Sequence, residues 1–193
     1  MDVDEPRLTN EEIAALARRI DRPVVLVGMM GVGKSSVGRK LAATLRLPFV
    51  DADEAIEEAA HMPIPDIFAT FGEAYFRDGE RRVIARLLDG ESQERRSVIA
   101  TGGGAFVNDQ TRALILDKAI PVWLDCDVET LYERVGRKGN RPLLKQGDPR
   151  EILTRLKTER EPFYAQAPIK VMSGNGPHAR TVDQVLKGID AWL

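Results

Sequence analysis

The hydrophobic pattern along the chain alternates between two periods. Short continuous apolar runs recur, and between them apolar positions return every three or four residues. Pro23-Val24-Val25-Leu26-Val27 is a β-branched run that predicts a buried strand. Phe49-Val50, Ser97-Val98-Ile99-Ala100, Ile120-Pro-Val-Trp-Leu124 and Pro168-Ile-Lys-Val-Met172 predict four more, with Pro121 near a strand start, where proline is tolerated. After Lys34, the residues Val37, Leu41 and Leu45 form one face of a helix that ends near Arg46, before Pro48. Residues 54–61 and 64–70 read as short helices split by Pro63 and Pro65. A longer helix follows, with Phe76, Glu80, Val83, Ile84, Leu87 and Leu88 on one stripe. Further helices are expected over 108–118 and from about Val128 to Val135, the latter with Asp127 as its N-cap. Asp148, Pro149 and Glu151 read as N-cap, N1 and N3 of a helix running through Leu153 and Leu156 to Arg160 and Tyr164, with Pro162 near its end. Thr181 with Gln184 is expected to cap the last helix, which buries Val182, Val185, Leu186 and Ile189.

Upstream of all this, residues 1–8 are acidic and irregular, as a mobile terminus would be. Thr9 and Glu12 match a capping box, and Ile13, Leu16, Ala17 and Ile20 continue as an amphipathic helix expected to act as a structural brace. Strands alternating with helices predict an α/β fold with a mostly parallel sheet. The length predicts a single domain over 1–193, with an N-terminal extension over 1–20.

Composition then narrows the function. A net charge of −2 argues against a nucleic-acid or membrane surface. There is no apolar run long enough to span a bilayer. The single cysteine, Cys126, has no partner for an internal disulfide, so a reducing cytoplasm is expected and a buried structural thiol is the favoured reading. His61 and His178 do not share a metal-ligand spacing.

Chemistry enters at Gly28-Met-Met-Gly-Val-Gly-Lys34-Ser35, which fits G-x-x-x-x-G-K-S/T between a predicted strand and a predicted helix. Glycines there let successive amides face one anion, and the helix N-terminus adds partial positive charge. Lys34 would reach the β- and γ-phosphates of a nucleotide, and the Ser35 hydroxyl would ligate Mg²⁺. Gly31, Val32, Gly33 and Ser36 complete the expected ATP-binding loop. Asp51 and Asp53 follow the second strand, and ligands of open parallel sheets bind beyond the carboxyl ends of strands. Alternation along an extended segment would send both carboxylates to one side, although Asp51 could instead cap the next helix with Glu54 three residues on. Thr101-Gly102-Gly103-Gly104 follows the third strand, and three glycines there suggest close approach of a ligand rather than a simple turn. Residues 136–147 are basic and glycine-punctuated, which reads either as a solvated loop or as a lid over phosphates.

Taken together, these motifs resemble the shikimate kinase family, within the nucleoside-monophosphate-kinase-like group, over roughly residues 21–193. The specific matches are F-V-D-A-D-E (49–54), D-I-F-A-T-F-G-E-A-Y-F-R (66–77), T-G-G-G-A (101–105), R-P-L-L (141–144) and R-E-P-F-Y (160–164). The resemblance implies a five-stranded parallel sheet of order 2-3-1-4-5, substrate-binding helices over about 54–90 and a lid over about 136–148. It implies transfer of a phosphoryl group from ATP to the 3-hydroxyl of shikimate, giving shikimate 3-phosphate and ADP, in aromatic amino-acid biosynthesis. Asp53 would bind the ring hydroxyls and act as base. Arg77 and Arg160 would bind the carboxylate, with Gly102, Gly103 and Gly104 as backbone contacts. Asp51 would assist Mg²⁺ through water, Arg141 would approach the phosphates, and Arg137 would stack on adenine. Ser36 stands where many members have threonine, a monomer is expected, and the N-terminal helix lies outside the pattern. A gluconate kinase of the same group is the nearest rival. A GTPase-like switch is disfavoured because N-K-x-D is absent, and a catalytically dead homologue is disfavoured by Lys34, Ser35, Asp53, Arg77 and Arg160.

Overall fold

In the computed structural model, which describes residues 7–90, 96–136, 147–174 and 176–193, the apolar runs are the strands. They are β1 (Val24–Val27), β2 (Phe49–Asp51), β3 (Val98–Ala100), β4 (Ile120–Asp125) and β5 (Ile169–Met172). All residues of β1, β3 and β4 are buried, as continuous apolar strands covered on both faces must be. The pairings are parallel and the order is β2-β3-β1-β4-β5, as expected. Val24 lies opposite both Val98 and Ile120, which puts β1 at the centre.

The helices are α1 (Asn10–Arg19), α2 (Lys34–Leu45), α3 (Ala52–Ala60), α4 (Ile64–Asp89), α5 (Asp109–Lys118), α6 (Val128–Gly136), α7 (Pro149–Tyr164) and α8 (His178–Trp192), with one 3-10 turn at Ala105–Val107. The expected break between a short and a long helix falls inside α4, at Gly72, whose φ of 82° is not helical. Two expectations need correcting. The last helix begins at His178, after Pro177, so Thr181 is buried inside it rather than capping it. The fixed φ of proline starts that helix without a side-chain cap. Glu54 does not complete a capping box with Asp51 but pairs with Arg39 at 3.1 Å.

The capping box at Thr9 forms, with Glu12 Oε2 accepting from the Thr9 amide at 2.7 Å. Leu16 of α1 is buried, and Arg19 pairs with Asp190 of α8. The first helix therefore braces the last one. Most buried side chains form one core around the sheet, and a separate small cluster of Ile56, Ile67, Phe76 and Val83 lies between α3 and α4.

Gly28 fixes how β1 leaves the sheet. Its φ is 137°, and a Cβ there would stand 2.2 Å from the backbone oxygen of Leu124. Backbone cannot yield as a flexible side chain can. Gly28→Ala should therefore lower the unfolding free energy in urea by about 2 kcal/mol or more. Stability within error of the unaltered chain would show that β4 gives way there.

Candidate active site

The ends of β1, β2 and β3 open onto one crevice of about 420 Å³, lined by Gly31, Gly33, Lys34, Ser35, Ser36, Asp51, Asp53, Gly102 and Gly103 among others. Gly33 precedes α2 with φ 101°, a left-handed conformation that favours glycine. The first amides of α2, at Lys34, Ser35 and Ser36, have no partners within the helix and carry its positive end into the crevice. Lys34 is buried, and its Nζ donates to the Gly28 and Met29 oxygens at 2.8 and 2.9 Å. The ammonium is thereby folded over its own loop. Val32 does not line the crevice; it is buried, and its carbonyl accepts from Arg134 Nη1 at 2.9 Å.

Asp51 both lines the crevice and caps α3. Its Oδ2 accepts from Ser35 Oγ at 2.7 Å, while its Oδ1 accepts from the Asp53 amide at 3.1 Å and caps α3. The two carboxylates do share the crevice, but strand alternation is not the reason. β2 stops at Asp51 and the chain turns into α3 at Ala52, and that turn brings Asp53 around.

The triple-glycine turn forms the opposite wall. Thr101 ties it to β1, its amide and hydroxyl donating to the Leu26 oxygen at 3.2 and 3.0 Å. A different neighbour crowds each glycine. A Cβ on Gly102 would lie 2.9 Å from Asp53 Oδ1, one on Gly103 3.4 Å from Arg160 Nη1, and one on Gly104 2.4 Å from Arg77 Nη2. Arg77 Nη1 pairs with Glu80 Oε2 at 2.7 Å, and Glu80 is only 1% exposed. Burial pushes the Glu80 carboxyl above its ordinary value, outweighing the pull of Arg77, with the Asp53 charge adding to the rise. The Tyr164 hydroxyl donates to the Gly103 oxygen. Burial pushes that phenol up, against the opposing influence of neighbouring Arg160.

Two residues of this assembly were not singled out from the sequence. Glu80 appeared only as part of an apolar stripe, where a lone carboxylate three residues after an arginine was the signal. Arg134 sits in the last turn of α6 and donates to Val32, Ser173 and Gly174 oxygens at the crevice edge, beside His178. Burial lowers the His178 pKa, and the Arg134 charge lowers it further. Arg137, Arg141 and most of the expected lid lie outside the described residues. Cys126 is buried, and burial pushes its thiol up to about 11, consistent with a structural role. Among the described residues, no group of three or more His, Cys, Asp and Glu side chains is arranged to hold a metal.

A strand, glycine loop and helix on this parallel sheet, facing a glycine turn that Arg77 and Arg160 approach, define a P-loop kinase. The family model for shikimate kinase matches residues 30–190. A shikimate kinase of Novosphingobium aromaticivorans is 66% identical over the whole of both chains. One from Caulobacter vibrioides is 53% identical over 94% of this chain and 88% of its own. Among solved structures, shikimate kinase from Acinetobacter baumannii in complex with shikimate aligns with TM-score 0.82 and 33% identity, covering 91% of this chain and 97% of that one. A gluconokinase from Sinorhizobium meliloti shares the fold alone, at 21% identity and TM-score 0.60. The chain belongs to the shikimate kinase family. It is an enzyme, and phosphorylation of shikimate in aromatic biosynthesis is its function.

The buried Glu80 makes stability depend on pH. A carboxyl raised in the folded state gives its full contribution below its ordinary value of 4.5 and loses it as pH rises through the folded value. Glu80→Gln, which cannot ionise, should therefore gain stability relative to the unaltered protein between acid and neutral pH. Urea titrations across that range check this; a stability difference independent of pH would contradict it.

Proposed function

We propose that the crevice transfers the terminal phosphoryl group of ATP to the 3-hydroxyl of shikimate. One observation carries this reading: a phosphate loop and two arginines meet on either side of one glycine turn, with Asp53 against it. A planar guanidinium keeps its charge at any working pH and matches a carboxylate with two parallel N–H donors. Arg77 and Arg160 are therefore assigned to the shikimate carboxylate. Asp53 accepts the hydrogen bond of the attacking hydroxyl and takes its proton late in transfer. The amides of Gly31, Gly33, Lys34, Ser35 and Ser36 take the phosphates, and Lys34 swings from its loop carbonyls to the transferring group. Gly102 and Gly103 offer backbone to the substrate.

Ser35 Oγ and Asp51 Oδ2, already 2.7 Å apart, form a hard-oxygen pair of the kind that fits Mg²⁺. When bound, Mg²⁺ neutralises charge on the phosphates. Ser35 would hold it directly and Asp51 through water. Family resemblance assigns Arg141 to the phosphates and Arg137 to adenine. What supports a nucleotide-side role for Arg134 as well is its bonding to Val32 in the phosphate loop. ATP as donor and a single buried thiol fit the cytoplasm.

The two carboxylates should separate in kinetics. Asp53→Asn should lower kcat by about 10²–10⁴, the usual worth of a general base, with ATP binding little changed. Asp51→Asn should instead raise the Mg²⁺ concentration needed for half-maximal rate. Single-turnover assays with Mg²⁺ titration distinguish them; normal turnover of Asp53→Asn, or a Mg²⁺ defect there alone, would overturn the division of labour.

A further inference from the structure

Within the helices expected to bind the substrate lies a second cavity, whose lining shares no residue with the crevice. It has a volume of about 360 Å³ and opens between α3 and α4. Ile56, Ile67, Phe76 and Val83, the members of the small separate core, line it. Tyr75 stands at its edge, half exposed and stacked on the equally exposed Phe71 with ring centroids 4.5 Å apart. Ala59, Ala60, Gly79 and two arginines, Arg82 and Arg86, complete the lining. Asp78 pairs with Arg82 at 3.2 Å but also with Arg81 at 2.8 Å, so this edge keeps a positive balance.

Gly79 is the feature that calls for a reason. It lies within α4 without a positive φ, and a Cβ on it would meet nothing within 4 Å. Neither backbone conformation nor packing requires a glycine there, and glycine in a helix interior weakens the helix relative to alanine. Its effect is to leave the cavity open where any longer side chain would project into it.

We propose that this cavity binds a small aromatic carboxylate, its ring among Ile56, Phe76 and Val83 and its carboxylate on the Arg82 and Arg86 edge. The volume lies within the range of small-molecule sites, and an apolar trough with a few convergent charged groups is how such sites are built. The cationic edge selects an anion over a neutral aromatic. Phe76 is shared between the cavity and the substrate side, its ring 5.2 Å from the Arg77 guanidinium carbon. An occupant would thus sit one residue away from the carboxylate clamp.

The test is calorimetric titration of the full chain with 3-phenylpropionate and with its uncharged amide. The acid should bind and the amide should bind at least about tenfold more weakly, the worth of a charged hydrogen-bonding partner. Gly79→Leu should abolish binding of the acid while melting at or above the temperature of the unaltered protein. The double substitution Arg82→Gln and Arg86→Gln should reduce acid binding to the level of the amide. Absence of binding, equal affinity for acid and amide, or acid binding that survives Gly79→Leu would overturn the proposal. So would a dimer in sedimentation that Gly79→Leu dissolves, since the occupant would then be a second copy of the chain.

Discussion

The active site depends on how closely the Thr101–Gly104 turn can approach everything around it. Thr101 bonds to Leu26 near the end of β1 through its amide and its hydroxyl, so the glycines that follow lie against the phosphate loop. A Cβ on Gly103 would come within 3.2 Å of the Met30 amide and 3.4 Å of Arg160. With no side chains in the way, three elements distant in sequence converge on one strand of backbone. Asp53 arrives from the start of α3, Arg77 from α4 and Arg160 from α7. Chemistry between a nucleotide and a small acid needs both reactants held in one geometry, and on the proposed assignment the turn sets the spacing between their two sites.

The polar groups around that turn are buried or only partly exposed to water, and neighbours hold several of them. Arg77 is held by the buried Glu80, and Tyr164 bonds to Gly103 while packing near Trp123, with ring centroids 6.1 Å apart. Lys157, one turn before Arg160 on α7, pairs with Asp125 at the end of β4. A guanidinium whose orientation is already fixed loses less side-chain entropy on binding a carboxylate. Burial disfavours the charged form of the Glu80 carboxyl and raises its pKa, and the pair with Arg77 offsets part of that cost.

Much of this was legible in the sequence because it rests on local rules. Strand runs, the glycine loop and the caps at Thr9, Asp127 and Asp148 follow from patterns a few residues long, and each forms. The start of α8 departs from its local signature, because Pro177 starts the helix without a side-chain bond and Thr-x-x-Gln falls inside it. Asp51 and Asp53 were placed in the crevice by strand alternation, whereas a turn into α3 puts them there. Glu80 and Arg134 are not legible in the sequence for a different reason. Their roles lie in contacts across the fold, Glu80 beside Gly102 and Arg134 on Val32, and no local period reports them.

The measurement that goes most directly to the role of the turn is a pair of calorimetric titrations on Gly104→Ala, one with shikimate and one with ATP. Gly104 has an ordinary φ of −92°, so alanine strains no backbone, but its methyl would stand where the Arg77 guanidinium now lies. Shikimate affinity should fall by about tenfold or more, the worth of a charged hydrogen bond, with ATP affinity unchanged. Unchanged shikimate affinity, or a loss confined to ATP, would contradict the view that this turn aims the carboxylate clamp.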